Sequence, residues 1–285
     1  MGILSIQSYV AFGHVGNAAA VFPLQRLGFD VWPVPTVVLS NHAGYETFPG
    51  TTLKPETVAA LVEGIADRGA FRNCQAVLSG YLGTTATGQV ALRAAARAKA
   101  AQPAAIFCCD PVIGDREDGA YVAEDIVRFF REEAVGAADI LLPNAFELEI
   151  LSGKPVGDAD SAVTAALSLL GRGPEMIVVT SVLGAGGRES QRTVATVLVT
   201  GAGAWTVATP ELSLQAKGTG DMFTALFLGY LLRDRDPVTA LGRAVSSAFA
   251  VIESTVAADA RELMLVQAQD RMVDPPRRFV AERIS

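Results

Sequence analysis

Short apolar runs bounded by turn residues recur along most of the chain and alternate with segments of helical spacing. The runs are GILSIQS (2–8), FDVWPVPTVVLS (29–40), CQAVLSG (74–80), AAIFCCD (104–110), DILLPN (139–144) and MIVVTS (176–181), and the helical segments include 55–69, 87–101 and 158–173. Alternating strands and helices imply right-handed crossovers and a parallel sheet. The near-continuous apolar character of the strands indicates that helices cover both faces of that sheet.

The later part of the chain has a different pattern. Residues 192–208, RTVATVLVTGAGAWTVA, alternate and turn at Gly201 to Gly203, which predicts an antiparallel hairpin at the sheet edge. An apolar helix then follows GTGD, with a second helix near 236–255 and a C-terminal helix near 260–270. The sequence therefore predicts an α/β fold with a central, mostly parallel sheet, helices on both faces and an antiparallel edge hairpin. Because no linker interrupts the chain, we expect one domain over residues 1–285.

The net charge and hydropathy of the chain exclude some classes of binding partner. The net charge is -7 and the pI is near 5.0, a balance that disfavours nucleic acid and anionic lipid as partners. No apolar run reaches the roughly 18 residues of a membrane span, and the N-terminus lacks the basic start of a signal peptide. We therefore expect a cytoplasmic protein.

Cysteine and histidine usage gives two further expectations. Adjacent residues of a strand point to opposite faces, so Cys108 and Cys109 are not expected to pair, and we predict that they and Cys74 are reduced, buried thiols. With only two histidines and no Cys-x-x-Cys motif, we expect no dedicated zinc site.

Polar residues cluster where the predicted strands end. In an open parallel sheet, ligands bind beyond the carboxyl ends of the strands. The candidates at those ends are Ser8, Ser40 to His42, Gly80, Tyr81, Asp110, Asn144, Thr180 and Ser181. We expect these groups to converge on one edge of the sheet.

The stretch Gly218-Thr219-Gly220-Asp221 opens a strongly apolar helix. The first turn of a helix has unpaired N–H groups and a partial positive charge, and glycines let a phosphoryl group approach closely. An aspartate in that turn has the chemistry to take a proton from an attacking hydroxyl. The alternative is that Asp221 only caps the helix and the glycines only form a turn. The chain contains neither a Walker A loop nor a Gly-x-Gly-x-x-Gly motif at its first helix.

With GTGD at the start of a late helix, the chain resembles the ribokinase-like superfamily, and further stretches resemble the pyridoxal kinases within it. These stretches are SIQSYVAFGHVGNAAAVFPLQRLGFDVWPV, VVLSNHAGY, VLSGYLG, CDPVIGD, DILLPNAFELEIL, VVTS and ELMLVQAQDRM, in the order and spacing of that family. The resemblance covers nearly the whole chain. It implies phosphorylation of the 5'-hydroxymethyl group of pyridoxal by ATP, which gives pyridoxal 5'-phosphate.

The resemblance assigns roles around the phosphoryl group. Asp221 is the general base, and the amides of Gly218, Thr219 and Gly220 form the anion hole. Asp110, Asp115 and Glu147 resemble an acidic cluster around Mg²⁺ and a monovalent cation, K⁺ or Na⁺, with Asp110 and Glu147 on Mg²⁺ partly through water. The alternative for Glu147 is a first-turn acid that the helix dipole favours.

Other residues are expected at the nucleotide. Asn144 is expected near phosphate while also capping its helix. Thr180 and Ser181 resemble a pair that bonds the nucleotide phosphates, and the alternative is a strand-end Ser/Thr turn. The polar segment 114–125 is expected to close over ATP, with Tyr121 in contact with the nucleotide.

The substrate side follows from the same resemblance. Ser8, His42 and Tyr81 are expected to line the pyridine pocket, unless they are ordinary half-buried side chains, and the expected apolar walls are Val37, Leu39 and Phe48. Ala43 stands where the family often has threonine, which leaves the preference among pyridoxal, pyridoxine and pyridoxamine open.

The sequence is also compatible with two alternative functions, and it predicts one assembly state. The first alternative is a kinase of the same chemistry that phosphorylates hydroxymethylpyrimidine or another small alcohol. The second alternative is a non-catalytic binder of vitamin B6 phosphates. A pure binder has no need of a base at Asp221, which argues against the second. The segment 29–50 resembles the region near the interface of dimeric relatives, so a homodimer is expected.

Overall fold

A ten-stranded sheet forms the centre of the computed structural model, which describes residues 2–183 and 192–285. The strands in chain order are β1 Gly2–Val10, β2 Asp30–Leu39, β3 Gly50–Thr52, β4 Cys74–Ser79, β5 Ile106–Cys109, β6 Gly114–Asp115, β7 Gly119–Ala120, β8 Ile140–Leu141, β9 Met176–Leu183, β10 Thr193–Thr200, β11 Gly203–Pro210 and β12 Glu282–Arg283. The spatial order in the large sheet is β12-β11-β10-β9-β8-β5-β4-β1-β2-β3, and β6 pairs with β7 in a separate hairpin.

The helices occupy the connections between strands. They are α1 Asn17–Arg26, α2 Pro55–Asp67, α3 Thr85–Ala101, α4 Glu124–Phe129, α5 Val135–Ala137, α6 Ala145–Ser152, α7 Ala159–Leu170, α8 Thr219–Asp234, α9 Pro237–Ala257 and α10 Gln269–Val273. A 3₁₀ turn covers Ala70–Asn73, and a π-helical turn at Phe130–Ala134 joins α4 to α5. None of the helices in the described part of the chain is both long enough and apolar enough to cross a membrane.

Six strands at the centre of the sheet run parallel, from β9 through β8, β5, β4 and β1 to β2. Both faces of this central region are buried. Ile3 and Leu78 pack toward α1, α8 and α9, whereas Leu4 and Val77 pack toward α2 and α3 on the other face. The strands are therefore apolar on both faces, and the predicted fold class is confirmed.

The predicted hairpin is β10 and β11, with its turn between Thr200 and Gly203. It is not the outermost part of the sheet, because β12 from the C-terminus pairs with β11. No pattern in the sequence predicted β12, which is only two residues long.

Helix α8 is apolar on all sides, as expected for a helix that other elements of the protein surround. Its residues Met222 to Leu231 are all buried, and it packs against the sheet, α1 and α9. This burial fixes the axis of the helix whose first turn carries GTGD.

The predicted helix over 260–270 is wrong for most of its length. Asp259 has a φ of 48°, and the helical residues are only Gln269–Val273. Leu263 and Leu265 are buried at a two-residue spacing, so the segment before α10 runs over the core in irregular form. The three cysteines are buried free thiols, as predicted.

Candidate active site

The GTGD turn lies at the carboxyl end of the parallel strands. Gly218 precedes α8 with a φ of 90°, and a Cβ at this position would collide with the carbonyl oxygen of His14, so only glycine fits. No side chain of the described residues caps this helix start. An ideal Cβ on Gly220 would meet no atom within 4 Å, so there is open space beside this turn.

Asp221 lies in the first turn of α8 and is half-buried. Burial raises the pKa of its carboxyl group to about 6, while hydrogen bonds from the backbone N–H groups of Gly16 and of Asp221 itself act in the opposite direction. A carboxylate with this pKa is ionised near neutral pH and is a stronger base than an exposed aspartate.

Asp110 follows β5 and is buried beside α8. The hydroxyl of Thr224 donates to Asp110 Oδ2 at 2.9 Å, which ties the end of β5 to the turn of α8 that follows Asp221. Burial raises the pKa of Asp110 well above its usual range, and the charges of Glu147 and Asp221 raise it further. Its carboxylate is therefore costly to ionise without a cation nearby.

Glu147 lies at the start of α6 and is also buried. Its Oε1 accepts the N–H groups of Ile113 (2.9 Å) and Gly114 (3.3 Å), and its Oε2 accepts that of Asn144 (2.8 Å). Burial nonetheless raises the pKa of Glu147 to about 7, with a further contribution from Asp221. Asp110, Glu147 and Asp221 thus repel one another in a region of low polarity, and we call them the acidic cluster.

The acidic cluster does not form a closed metal cage. No three His, Cys, Asp or Glu side chains within residues 2–183 and 192–285 converge closely enough to hold a metal ion. Mg²⁺ commonly keeps several waters and binds one or two carboxylates together with substrate phosphates. The excess negative charge of the cluster fits a hydrated Mg²⁺ of this kind, and Glu147, whose oxygens accept backbone N–H groups, would reach it through water.

Asn144 has a local role. Its Oδ1 accepts the Glu147 N–H at 2.9 Å, and its side-chain amide donates to Gly114 O at 2.7 Å. With the Glu147 carboxylate bonded back to the Asn144 N–H, the two residues form a capping box. The capping alternative from the sequence is thus present, and Asn144 and Glu147 together fix the base of the β6–β7 hairpin.

The β6–β7 hairpin forms the first part of the segment 114–125, which is predicted to close over ATP. Tyr121 donates its hydroxyl to Asp115 Oδ2 at 2.6 Å, and Lys217 Nζ lies 2.7 Å from Asp118 Oδ2 and 3.5 Å from Asp115 Oδ2. Burial alone would raise the pKa of Asp115. The pKa nevertheless lies below its usual value, because Tyr121 and backbone N–H groups donate hydrogen bonds to the carboxylate and Lys217 lies nearby. The hairpin is therefore tied to the residue that immediately precedes Gly218.

Thr180 and Ser181 lie in an irregular part of β9. The register with β10 shifts between Ala195 and Val197, so Thr180 and Ser181 stand opposite the single residue Thr196, as in a β-bulge. Ser181 has a φ of 56°, which is unfavourable for a residue with a side chain, and it is exposed. Thr180 bridges to Asn144 through a bond from its N–H to Pro143 O at 3.0 Å. This bulge places both hydroxyl residues near the capping box.

The substrate-side residues come from two neighbouring regions. Val37 is buried in β2, and the adjacent Thr36 hydroxyl donates to Tyr81 O at 2.7 Å, which joins β2 to the end of β4. Ser8 is buried at a register shift of β1, next to Gly16. Leu39 is half-buried, whereas Ala43 and Phe48 are exposed in the segment that joins β2 to β3.

His42 contacts protein groups on both sides of its ring. Gly44 N–H donates to His42 Nδ1 at 3.1 Å, and His42 Nε2 lies 3.2 Å from Glu262 Oε1. Lys217 passes beside Gly44, so the substrate-side segment and the anion-hole segment adjoin.

Three residues of the site were not predicted. Thr224 and Lys217 flank GTGD in the sequence, and a polar Thr224 within a buried helix was an available signal. Glu262 lies 41 positions beyond Asp221 in the ELMLVQAQDRM stretch and carried no local signal.

Comparison with known proteins agrees with this geometry. The sequence model of the phosphomethylpyrimidine kinase family matches residues 32–264. The pyridoxal kinase PdxY of Rubrobacter xylanophilus is 48% identical over 285 residues, which cover 100% of this chain and 98% of the relative. That of Corynebacterium diphtheriae is 42% identical over the full length of both chains.

The chain belongs to the pyridoxal kinase family. Among solved structures, the pyridoxal kinase of Leishmania donovani in complex with ADP and pyridoxine superposes with a TM-score of 0.92 at 30% identity, covering 100% of this chain and 99% of the other. The same kinase in complex with ADP and pyridoxamine gives a TM-score of 0.91. The family and the ribokinase-like fold predicted from the sequence are confirmed.

In this member of the pyridoxal kinase family, we expect Lys217→Met to loosen the β6–β7 hairpin. The variant removes both ion pairs to the hairpin, and an exposed pair contributes up to about 1 kcal/mol, so opening should increase by up to about fivefold. Hydrogen exchange of peptides covering 114–121 measures the effect. Lys99→Met is the matched control, because Lys99 makes a 2.7 Å ion pair with Asp139 at the far end of the sheet. Equal exchange in the two variants would contradict the expectation.

Proposed function

We propose that this protein transfers the γ-phosphoryl group of ATP to the 5'-hydroxymethyl group of pyridoxal. The observation that carries the proposal is Asp221, a carboxylate with a raised pKa in the first turn of a helix that no described side chain caps and that has open space beside Gly220. Full-length identity of 42–48% to curated pyridoxal kinases supports the same chemistry.

Each group at the site has a proposed task. Asp221 accepts the proton of the hydroxymethyl group as its oxygen attacks, and the amides of Gly218, Thr219 and Gly220 stabilise the charge of the phosphoryl group in transfer. Asp110 and Glu147 hold Mg²⁺, partly through water, and the ion when bound neutralises phosphate charge; a monovalent cation, K⁺ or Na⁺, is part of the same proposal. Asp115, Tyr121, Asn144, Thr180 and Ser181 are the proposed ATP contacts.

On the acceptor side, we propose Ser8, Val37, Leu39, His42, Ala43, Tyr81 and Asp221 as the substrate-binding set. Val37 and Tyr81 adjoin through the bond from Thr36 to Tyr81 O, and Ser8 adjoins Gly16, whose N–H bonds Asp221. His42 contributes ring surface, because both of its nitrogens already face protein groups.

Assembly and location are also proposals. We propose a homodimer through the segment 29–50, because Phe12 is 62% exposed and Tyr9 and Phe48 are also exposed beside this segment. A cytoplasmic location is supported by the three free thiols and by the need for ATP. We propose a single kinase domain over 1–285, because the strands of one sheet extend from Gly2 to Arg283.

The direct test is turnover of purified protein with Mg-ATP and pyridoxal, followed as formation of the 5'-phosphate. We expect kcat/KM for pyridoxal to exceed that for hydroxymethylpyrimidine, and pyridoxine and pyridoxamine complete the acceptor panel. Ala43→Thr adds a hydroxyl beside His42 and is expected to change the ratios among the three vitamers without changing KM for ATP. Absence of pyridoxal phosphorylation would overturn the proposed activity, and a preference for hydroxymethylpyrimidine would move it to that acceptor.

Asp221→Asn should lower kcat by about a hundredfold to ten-thousandfold, because the amide cannot accept the proton. In the unsubstituted protein, kcat/KM should fall as pH drops below about 6, since protonation of Asp221 removes the base. Asp270→Asn changes an exposed aspartate that pairs with Arg26 and serves as the control. Turnover that survives in Asp221→Asn would show that another group is the base.

The acidic cluster predicts a pH-dependent response to Mg²⁺. The raised pKa values of Asp110, Glu147 and Asp221 mean that the folded state holds more protons than the unfolded state, so stability falls as pH rises from about 4 to about 7. Mg²⁺ should therefore raise the Tm more at about pH 8 than at about pH 5.5. Asp110→Asn should weaken this difference, with sodium chloride of equal ionic strength as the control. A Tm increase that is equal at both pH values would argue against a cation at this cluster.

A further inference from the structure

The Glu262 carboxylate lies between two loops that face the proposed acceptor site. Its side chain is 15% exposed, and the loops are residues 11–16, between β1 and α1, and residues 40–47, which follow β2. We call these the first loop and the substrate loop. Leu263 and Leu265 are buried in the core, and the Met264 N–H donates to Thr255 Oγ1 at 3.1 Å. The carboxylate therefore projects from a segment that is firmly anchored.

Two hydrogen bonds and one close imidazole contact converge on this carboxylate. The Tyr45 hydroxyl donates to Glu262 Oε1 at 2.7 Å, and the His14 N–H donates to Oε2 at 3.1 Å. His42 Nδ1 accepts the Gly44 N–H, which leaves the ring proton on Nε2, and Nε2 lies 3.2 Å from Oε1 without the alignment of a hydrogen bond. The His42 and Tyr45 rings also lie against each other, with centroids 4.8 Å apart.

Glu262 also reaches the catalytic turn through the first loop. The carbonyl oxygen of His14 lies against Gly218, and the Gly16 N–H bonds Asp221. Gly13 has a φ of 89°, and a Cβ there would collide with the Glu262 carboxylate. The first loop is thus held by Glu262 on one side and by the GTGD turn on the other.

We propose that Glu262 is a positioning residue for the acceptor alcohol. It sets the distance between the substrate loop, through His42 and Tyr45, and the first loop that contacts Gly218 and Asp221. This inference rests on the proposed function and extends it to a residue outside the motifs for catalysis and ATP binding.

The chemistry requires a carboxylate at this position. Both oxygens of an ionised carboxylate accept hydrogen bonds, whereas a glutamine of the same shape offers one oxygen and one NH₂ group. In Glu262→Gln, the NH₂ group must face either the Tyr45 hydroxyl and His42 or the His14 N–H. If the NH₂ group faces the substrate loop, the Tyr45 hydroxyl can still accept from it, but the N–H of His42 then faces a second donor. If the NH₂ group faces the first loop, the His14 N–H loses its bond.

The first experiment separates the two substrates of Glu262→Gln. We expect KM for pyridoxal to rise about tenfold, the loss that follows from removing a hydrogen bond to a charged group, while KM for ATP stays within about twofold. Glu253→Gln is the control, because Glu253 lies near the end of α9, where it forms ion pairs with Arg271 and Arg277. An unchanged KM for pyridoxal, or equal increases in both KM values, would overturn the proposal.

A second experiment does not depend on turnover. Hydrogen exchange in peptides covering 40–47 should be faster in Glu262→Gln and, to a smaller extent, in Tyr45→Phe, which removes only one donor. Exchange in the β6–β7 hairpin should not change in either variant. Unaltered exchange in 40–47 would show that Glu262 does not hold the substrate loop. If the unsubstituted protein failed to phosphorylate pyridoxal, the activity assignment would fall, whereas the exchange result would still decide whether Glu262 holds the loop.

Discussion

The arrangement of the site depends on keeping negative charge out of water beside the start of a buried helix. Asp110, Glu147 and Asp221 come from three different connections of the sheet, and burial raises the pKa of each. Their repulsion is opposed by local donors, namely Thr224 for Asp110, three backbone N–H groups for Glu147 and the Gly16 N–H for Asp221. An apolar core would be more stable without these groups, so their presence is explained by the cationic and phosphoryl partners of the proposed reaction.

The neighbouring loops are arranged around the same turn. The β6–β7 hairpin is attached to α6 through Asn144 and Glu147 and to the GTGD segment through Lys217. The substrate loop is attached to the C-terminal segment through Glu262. The proposed nucleotide side and acceptor side thus meet at residues 217–221, at the start of α8, which cannot shift without moving a helix packed on all sides.

Most of the fold could be predicted from the sequence, because buried parallel strands and amphipathic helices have distinct periodicities. The failures have local causes. The segment 260–268 has apolar residues at a spacing that a helix can also produce, and β12 is too short to have a pattern. At the site, GTGD pointed to Asp221 and the strand-end rule to Asp110, whereas Glu147 came from the family resemblance, and the roles of all three stay predictions. The contacts of Thr224, Lys217 and Glu262 became visible only in three dimensions, because their partners are more than 90 positions away in the chain. The strained backbone of Ser181 likewise results from the bulge in β9, and no residue in the sequence indicates that bulge.

The pairing of β12 with β11 has a consequence for solubility. The last residues of the chain cover the backbone of β11, with Ala204 N–H bonded to Ser285 O at 2.8 Å. An unprotected strand at this border would offer a template on which foreign strands could add and aggregate. Residues 282–285 therefore protect the edge of β11 from pairing with other strands. Because β12 is only two residues long, a fusion partner attached after Ser285 could weaken this protection.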